Sequence, residues 1–182
     1  MTRSAKYDEL LDAAQKIVRR DGSSKLTLEA VAAEAGVSKG GLLYHFPTKE
    51  ALISAMVERM LTSFDDAQER SMVADPVEPG RWTRAWVRTS VSAKGPSEHD
   101  ATAAGLLAAI ATNPALADPM RDRYAQWRAL AAADGIPAEV AAIVTLAADG
   151  MWMADLLGLS APAGDERRRI IERLLEMASG DR

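Results

Sequence analysis

The chain of 182 residues has no cysteine and only two histidines, and these shortages limit the chemistry that it can perform. Without cysteine it forms no disulfide, no thiolate zinc site and no cysteine nucleophile. The sequence also lacks HExxH, GxSxG and phosphate-binding-loop patterns, and its carboxylates are scattered. Because no segment supplies a nucleophile together with a base, we do not expect an enzyme, a metal site or a bound cofactor.

Long apolar runs are also lacking. No stretch of about 18 uncharged apolar residues occurs, as a membrane span requires, and no basic-then-apolar leader opens the chain. Hydrophobic residues make up 48% and charged residues 26% of the sequence, so we expect packed cores rather than disorder. These features predict a cytoplasmic protein without a membrane partner.

The most informative stretch spans residues 26–52, where two short helical patterns flank a tight turn centred on Gly36. Thr27 is placed to cap the first helix and Ser38 to cap the second. Gly36 suits the left-handed backbone position that ends a helix. The second helix must end before Pro47, because a residue that precedes proline is disfavoured in helical geometry.

Helix, short glycine turn and helix form the helix-turn-helix pattern, whose second helix enters the major groove of DNA with its first residues against base edges. That helix begins here with Lys39 and continues with Gly40 and Gly41. Each glycine costs about 1 kcal/mol of helix stability relative to alanine. The pair is explained if the backbone must approach another surface closely, and DNA is one such surface.

The run LTLEAVAAEAGVSKGGLLYHFPTKEAL, within residues 7–64, resembles the DNA-binding domain of the TetR family of bacterial transcriptional regulators. The resemblance implies a homodimeric repressor whose carboxy-terminal half binds a hydrophobic or amphipathic small molecule. We therefore predict a DNA-binding domain over residues 1–64, with the helix-turn-helix at about 27–46, and a ligand-binding and dimerisation domain over residues 65–182. The family usually has a tyrosine where this chain has Leu43, so Tyr44 is the candidate for that phosphate contact.

The predicted DNA contacts divide into three groups. Lys39 donates to a base or a phosphate, and Gly40, Gly41 and Leu42 lie against base edges, with Leu42 on a thymine methyl. Tyr44 and His45 bond backbone oxygens, although a packed ring at the helix end explains His45 equally well. The residues that hold phosphates and fix the register are Thr27, Ser38, Thr48 and Lys49.

Charge is distributed in the direction that a DNA-binding head requires. The chain has a formal net charge of -4, but residues 1–53 carry eight basic and seven acidic residues, against fourteen and nineteen in residues 54–182. The excess is small, so we expect few phosphate contacts per subunit and a moderate salt dependence of DNA binding.

The remaining pattern is helical throughout and contains no strand signal, which predicts an all-α fold. Apolar residues of a first helix from Lys6 pack on the helix-turn-helix to make a three-helix head. A helix of about 25 residues starts at Lys49 and reaches the turn-forming segment 75–80. The next helix is predicted to stop at Lys94-Gly95-Pro96.

Large apolar side chains recur on several helices of the second half. If they converge, they line an apolar cavity of the kind that small-molecule sites use. A filled core is the alternative, since aromatic residues at helical spacing commonly form one. The candidates for the cavity are Trp82, Trp86, Met120, Tyr124, Trp127, Met151 and Trp152.

The last two predicted helices indicate self-association. Residues 137–157 are apolar on almost every side, and residues 165–178 carry one apolar face, so both helices need more cover than one small domain provides. A four-helix bundle formed with a second copy across a two-fold axis would supply it. The candidate interface residues are Val140, Ile143, Val144, Leu156, Ile170, Ile171, Leu174 and Leu175.

These patterns leave one alternative function open. A three-helix head with a charge near zero also suits a helical protein–protein interaction module that binds no operator. The partners expected under the preferred interpretation are double-stranded DNA, a second copy of the chain and an unidentified small-molecule effector. A salt-sensitive gel shift on an upstream palindrome distinguishes the two functions.

Overall fold

The computed structural model describes the backbone of residues 3–93 and 98–180 and the side chains of residues 5–93 and 102–180. Within these ranges the fold is all α, as predicted, and no strand is present. The helices are α1 Arg3–Asp21, α2 Leu28–Glu34, α3 Lys39–His45, α4 Lys49–Val73, α5 Arg81–Ser90, α6 Glu98–Thr112, α7 Asp118–Ala132, α8 Ala138–Leu156 and α9 Gly164–Met177. Helix α5 ends before the predicted stop, and Lys94-Gly95-Pro96 lies outside the described residues.

The chain divides into two compact units. The first contains Met1–Leu61 and Glu98–Arg121, and the second contains Thr62–Ser97 and Asp122–Arg182. The 25-residue helix α4 contributes to both units. The predicted division at residue 64 lies close to the point within α4 where the chain passes from the first unit to the second. The prediction placed α6 in the second domain, whereas α6 belongs to the first unit. No described helix has the length and apolar character needed to cross a bilayer.

The core of the first unit is built on the apolar stripe of α1. Its members Leu10, Leu11, Ala14, Ile17 and Val18 are all buried, as the periodicity predicts. Helix α6 approaches α1 closely at Gly105, where an added Cβ would lie 2.3 Å from a Val18 methyl carbon. Only glycine fits there, so the sequence itself fixes how near α6 packs to α1.

The segment between α4 and α5, which reads as a linker in the sequence, is held by a buried arginine. Arg84 donates to both carboxylate oxygens of Asp75, at 2.9 and 3.3 Å, and to the carbonyl oxygens of Val77 and Pro79 at 2.6 and 2.7 Å. It also donates to the carbonyl oxygen of Ala178 at 3.1 Å. The side chain therefore ties this loop to the end of α9, and the Arg84 guanidinium holds the pKa of Asp75 well below its usual range.

A second buried arginine fastens the loop between α8 and α9. Arg167 donates to the two carboxylate oxygens of Asp155 at 3.1 and 2.7 Å and to the carbonyl oxygen of Ser92 at 2.5 Å. Its side chain is 3% exposed. Buried charges are stable only when they are paired and hydrogen-bonded, and both arginines meet this condition.

Candidate nucleic-acid interface and ligand site

The helix-turn-helix is formed by the local interactions that its sequence predicts. The backbone N–H of Ala30 donates to Thr27 Oγ1, and the N–H of Gly41 donates to Ser38 Oγ, both at 3.1 Å. Gly36 has a φ of +64°, which is the left-handed conformation expected at the end of α2. Two capped helices and a glycine turn therefore set the direction of α3.

The first turn of α3 exposes its backbone and carries little side-chain volume. Ser38, Lys39, Gly40 and Gly41 are all exposed. A Cβ added to Gly40 would meet nothing within 4 Å, and one added to Gly41 would reach only Ser38 Oγ, at an ordinary contact distance of 3.4 Å. Packing among the residues that the structure describes therefore does not require either glycine.

Leu42 does not lie against DNA as predicted. Its side chain is 0% exposed and belongs to the hydrophobic core, so the predicted thymine contact is wrong. The exposed side chains that follow it are Leu43 at 37% and Tyr44 at 67%. The helical period could have identified Leu43 as an exposed residue of α3, because a residue adjacent to a core position faces a different side of the helix.

Lys39 is engaged within the head. Its ammonium lies 2.6 Å from a carboxylate oxygen of Glu29 on α2, and both side chains are exposed. The hydrogen bond from Lys39 lowers the pKa of the Glu29 carboxyl. A phosphate or a base edge that binds Lys39 therefore competes with Glu29, which the sequence pattern did not reveal.

The remaining head candidates lie where α3 ends and α4 begins. The His45 ring is half-buried, 6.2 Å from the Tyr7 ring centroid and 5.2 Å from that of Tyr44. It thus has the packed position that was the alternative to a DNA contact. Thr48 caps α4 by accepting a hydrogen bond from the N–H of Ala51 at 3.1 Å and remains exposed, while Lys49 is half-buried.

In the second unit, four of the predicted ligand-site residues come together as one aromatic cluster. Trp82, Trp86, Tyr124 and Trp127 form it, with Phe64 as a fifth member that the sequence interpretation did not include. Neighbouring ring centroids lie 4.9 to 5.1 Å apart in the closest pairs. Most pairs meet edge to face, which is the arrangement that ring quadrupoles favour.

Two carboxylates lie at the edge of this aromatic cluster. Trp127 Nε1 donates to Asp65 at 2.8 Å, and Asp65 is also paired with Arg123. Trp86 Nε1 donates to Asp149 at 3.1 Å. Burial raises the pKa of Asp149 to about 6, although the hydrogen bond from Trp86 lowers it in part.

Helix α5 places its two tryptophans through contacts with distant parts of the unit. The backbone N–H groups of Trp82 and Thr83 donate to the two carboxylate oxygens of Asp134 at 2.9 and 2.7 Å. Gln68 Nε2 donates to the carbonyl oxygen of Trp82 at 2.9 Å. Asp134 thus acts as a helix cap supplied from the loop between α7 and α8, which fixes the start of α5.

The other candidates for the ligand site are more scattered. Met151 is buried and Trp152 is half-buried on α8, the helix that carries Asp149. Met120 belongs to the first compact unit, whereas the other six candidates belong to the second. Burial raises the pKa of Tyr124 to about 12, and the nearby negative charge of Asp149 contributes to the increase.

Two family models match the chain. The model for bacterial regulatory proteins of the tetR family covers residues 10–56, and that for the tetracyclin repressor-like C-terminal domain covers residues 80–179, which is more than half of the sequence. The chain belongs to the TetR family. The resemblance seen in the sequence is therefore confirmed in both halves of the protein.

Individual relatives differ in how much of the chain they resemble. The transcriptional regulator EthR of Mycolicibacterium smegmatis is 23% identical over 124 residues, which are 68% of this chain and 56% of that protein. RutR of Escherichia coli is 45% identical over 58 residues, 32% of this chain and 27% of that protein. The chain thus matches little more than half, or less, of these curated relatives' length.

A solved structure extends the likeness over nearly the whole fold. The multidrug binding protein EbrR complexed with ethidium is 26% identical, has a TM-score of 0.67, and the match covers 94% of this chain and 98% of that one. The TetR-family architecture of an amino-terminal helix-turn-helix and a helical second part therefore describes this chain.

In this TetR-family chain, the predicted interface residues on α8 and α9 fall into two groups. Val144 and Leu174 are 0% and 6% exposed, so they form part of the chain's own core and are not accessible to a partner, contrary to the prediction. Ile143 is 54% exposed. The others, whose role at an interface stays a prediction, are half-buried: Val140, Leu156, Ile170, Ile171 and Leu175.

Helix α8 also exposes apolar side chains that the candidate set missed. Leu146 is 70%, Met153 37% and Leu157 58% exposed. Together with Ile143 they follow a helical spacing that places them on one face. Gly150 lies on the same face, and a Cβ added there would meet nothing within 4 Å.

Proposed function

We propose that this protein is a DNA-binding transcriptional regulator that acts in the cytoplasm as a homodimeric repressor. Each head binds one half of a near-palindromic operator, and a hydrophobic small molecule bound to the second unit releases the dimer from DNA. The two recognition helices lie about one DNA turn apart, roughly 34 Å, as a two-fold axis through a palindrome requires.

The observation that carries the proposal is the pair of exposed glycines at the start of α3. Neither Gly40 nor Gly41 is required by the packing of the chain, and both weaken the helix. A close approach of the α3 backbone to an external surface explains why bulk is missing there. The exposed cap residues Thr27, Ser38 and Thr48 surround this turn with hydroxyl groups suited to phosphate contacts.

The exposed face of α8 supports a homodimer. An apolar face of this kind is unfavourable in water, and a second copy of the same face would cover it across a two-fold axis. Gly150 would allow the two copies of α8 to approach closely, as small residues do at helix crossings. Half-buried Ile170 and Leu175 on α9 would extend the contact.

The aromatic cluster is the proposed effector site. EbrR, the relative solved with ethidium, binds an aromatic small molecule on a similar fold. A ligand that prefers one arrangement of the subunits shifts the population toward it, and α4 supplies the mechanical link because it contributes residues to both compact units. Repression is relieved if the preferred arrangement does not fit the operator.

The DNA-binding part is tested by Gly40→Leu. The free protein has space at this position and alanine-like residues favour helix, so the variant is expected to fold with unchanged or slightly higher stability. Binding to the DNA upstream of its own gene is expected to fall by at least about tenfold, because the new side chain separates α3 from the groove. Gel-shift titration and thermal unfolding measure the two effects.

Ala129→Leu, at an exposed site of α7, is the matched control and leaves DNA binding unchanged. If Gly40→Leu binds the same DNA as tightly as the natural protein, the assigned recognition surface is wrong. If the natural protein shifts no DNA in this region at low salt but captures a protein partner through the head, the interaction-module alternative replaces the proposal.

The dimer is tested by Leu146→Glu. A charge buried between two copies of α8 is strongly unfavourable, so the variant is expected to sediment as a monomer and to lose tight binding to a palindrome. Ala129→Glu is the control for the added charge. An unchanged dimer in sedimentation equilibrium would show that the partner binds elsewhere.

A further inference from the structure

We propose that Asp149 and the aromatic rings beside it form a binding site for an organic cation with an apolar body. The inference rests on the proposed function, since it names the chemical class of the effector for the aromatic cluster. It also makes a separate claim, namely that charge and not apolar surface alone selects the ligand.

The first argument is the difference between the two carboxylates of the cluster. Asp65 and Asp149 each accept a hydrogen bond from a tryptophan indole, but Asp65 is also paired with Arg123. Among the residues whose side chains are described, Asp149 has the Trp86 indole as its one hydrogen-bonding partner and no basic side chain. No described side chain therefore neutralises its negative charge, which can attract a cation from outside the chain.

The second argument is the surface that surrounds Asp149. Trp86 from α5 directs its indole N–H at Asp149, and Tyr124 from α7 lies close enough for the carboxylate to raise its pKa. Further rings lie 4.9 to 5.1 Å from these two, measured between ring centroids. The faces of tryptophan and tyrosine attract cations through the ring quadrupole, most strongly for quaternary ammonium groups that water solvates weakly. A carboxylate beside such rings attracts a cation through its charge, and a ring face opened next to it would add a second attraction.

The third argument is the free energy that the arrangement costs the empty protein. A carboxylate half-buried among aromatic rings without a cation is disfavoured in its ionised form, and its raised pKa reports this. A residue that destabilises the fold while serving no packing need is expected where a ligand later compensates for it. An asparagine in its place would keep the indole hydrogen bond without that cost.

Access to the site is from the half-buried members of the cluster. Phe64 and Tyr124 are half-buried, whereas Trp82, Trp86 and Trp127 are buried. In the protein without ligand, the edge of one ring packs against the face of the next. A cation therefore binds by displacing the edge of a ring and contacting the face that this edge had covered. Tyr124 is one of the half-buried rings and lies near Asp149, so we expect its ring to move when a cation binds.

The experiment compares two probes that differ in one atom and one charge, phenyltrimethylammonium and tert-butylbenzene. Binding to the full-length protein is measured by quenching of tryptophan fluorescence at pH 8, where Asp149 is ionised. We expect the cation to bind at least about tenfold more tightly than the neutral isostere. Asp149→Asn is expected to remove this preference, while Asp122→Asn, the same change at an exposed site of α7, retains it.

The pH dependence gives a second readout that a merely structural role of Asp149 would not produce. No basic side chain among those that the structure describes faces Asp149, and Tyr124 stays neutral over this range, so protonation of Asp149 removes the charge. Affinity for phenyltrimethylammonium is expected to fall as pH decreases through about 6, and affinity for tert-butylbenzene is expected to stay constant.

Equal affinity for both probes, an unchanged preference in Asp149→Asn, or no binding of either probe would each overturn the inference. These outcomes are separate from failure of the proposed function. Cation binding without any change in operator affinity would contradict the regulatory mechanism and leave the cation site standing. Operator release by neutral ligands only would leave the regulator standing and remove the cation site.

Discussion

Polar side chains stabilise each of the two compact units in a different way. In the first unit the capping hydroxyls of Thr27, Ser38 and Thr48 bond the backbone three residues ahead, at exposed positions. In the second unit Arg84 is buried and bonds a carbonyl 94 residues away. Local exposed bonds shape a surface for a partner, whereas distant buried bonds fix one arrangement of helices around a site. The difference predicts that equivalent changes in the two units have unequal effects.

The largest effect is expected for Arg84→Ala. It leaves three carbonyl oxygens without their common donor, although Asp75 is still paired with Arg88 at 2.6 Å, so the free energy of unfolding is expected to fall by about 3 kcal/mol, the lower end for a broken buried pair. Arg81→Ala, which removes an exposed pair with Glu78, changes it by less than about 1 kcal/mol. Urea denaturation measures both, and equal losses would remove the contrast between buried and exposed polar groups.

The second largest effect is a stabilisation, expected for Asp149→Asn. The pKa of Asp149 is about 6 in the folded protein and about 4 when unfolded, so the folded state binds the extra proton between these values and the free energy of unfolding falls as pH rises through this window. At pH 7 Asp149→Asn is expected to stabilise the protein by about 1–2 kcal/mol, allowing for partial exposure.

Below about pH 4 the two proteins should unfold alike, since the carboxyl is then protonated in both states. Denaturant titrations at pH 4 and pH 7 test this. Destabilisation by the variant at both pH values would mean that Asp149 has a structural role rather than an unsatisfied charge.

A smaller loss is expected from the first unit. Ser38→Ala removes the cap of α3 and is expected to lower the free energy of unfolding by about 1 kcal/mol. Ser63→Ala, at an exposed position within α4, serves as its control and should be nearly neutral. A loss as large as that from Arg84→Ala would show that the caps of the head are as important to the fold as the buried arginine.

The smallest effect concerns binding rather than folding. Glu29→Gln releases Lys39 from its exposed pair, so DNA affinity is expected to rise by about two- to fivefold with little change in stability. Glu50→Gln, which removes another exposed carboxylate at the start of a helix, controls for net charge. Equal gains in both variants, measured by fluorescence anisotropy at fixed salt, would mean that general charge and not Lys39 is responsible.

The contrast between local and distant contacts also explains which features of the structure could be predicted from the sequence. The helix-turn-helix depends on caps, a glycine turn and apolar periodicity, all of which act over a few residues, and these were correctly identified. Leu42 was misassigned because a base contact was inferred from its position along α3 rather than from its helical face, and the face places it in the core.

The second unit was less predictable because its decisive contacts are distant in sequence. No local pattern distinguishes Arg84 and Arg167 from the other arginines of their helices, yet both are buried and bonded to backbone far along the chain. Convergence of the tryptophans was foreseen only as one of two possibilities. One local clue was available for Asp149, a single carboxylate in the middle of a helix that is otherwise apolar there.

The Glu29–Lys39 pair also bears on how ionic strength acts on this head. Salt screens this exposed pair, so raising the salt concentration weakens the competition from Glu29 at the same time as it weakens the phosphate contact itself. The dependence of operator affinity on salt should therefore be slightly shallower than a count of phosphate contacts implies.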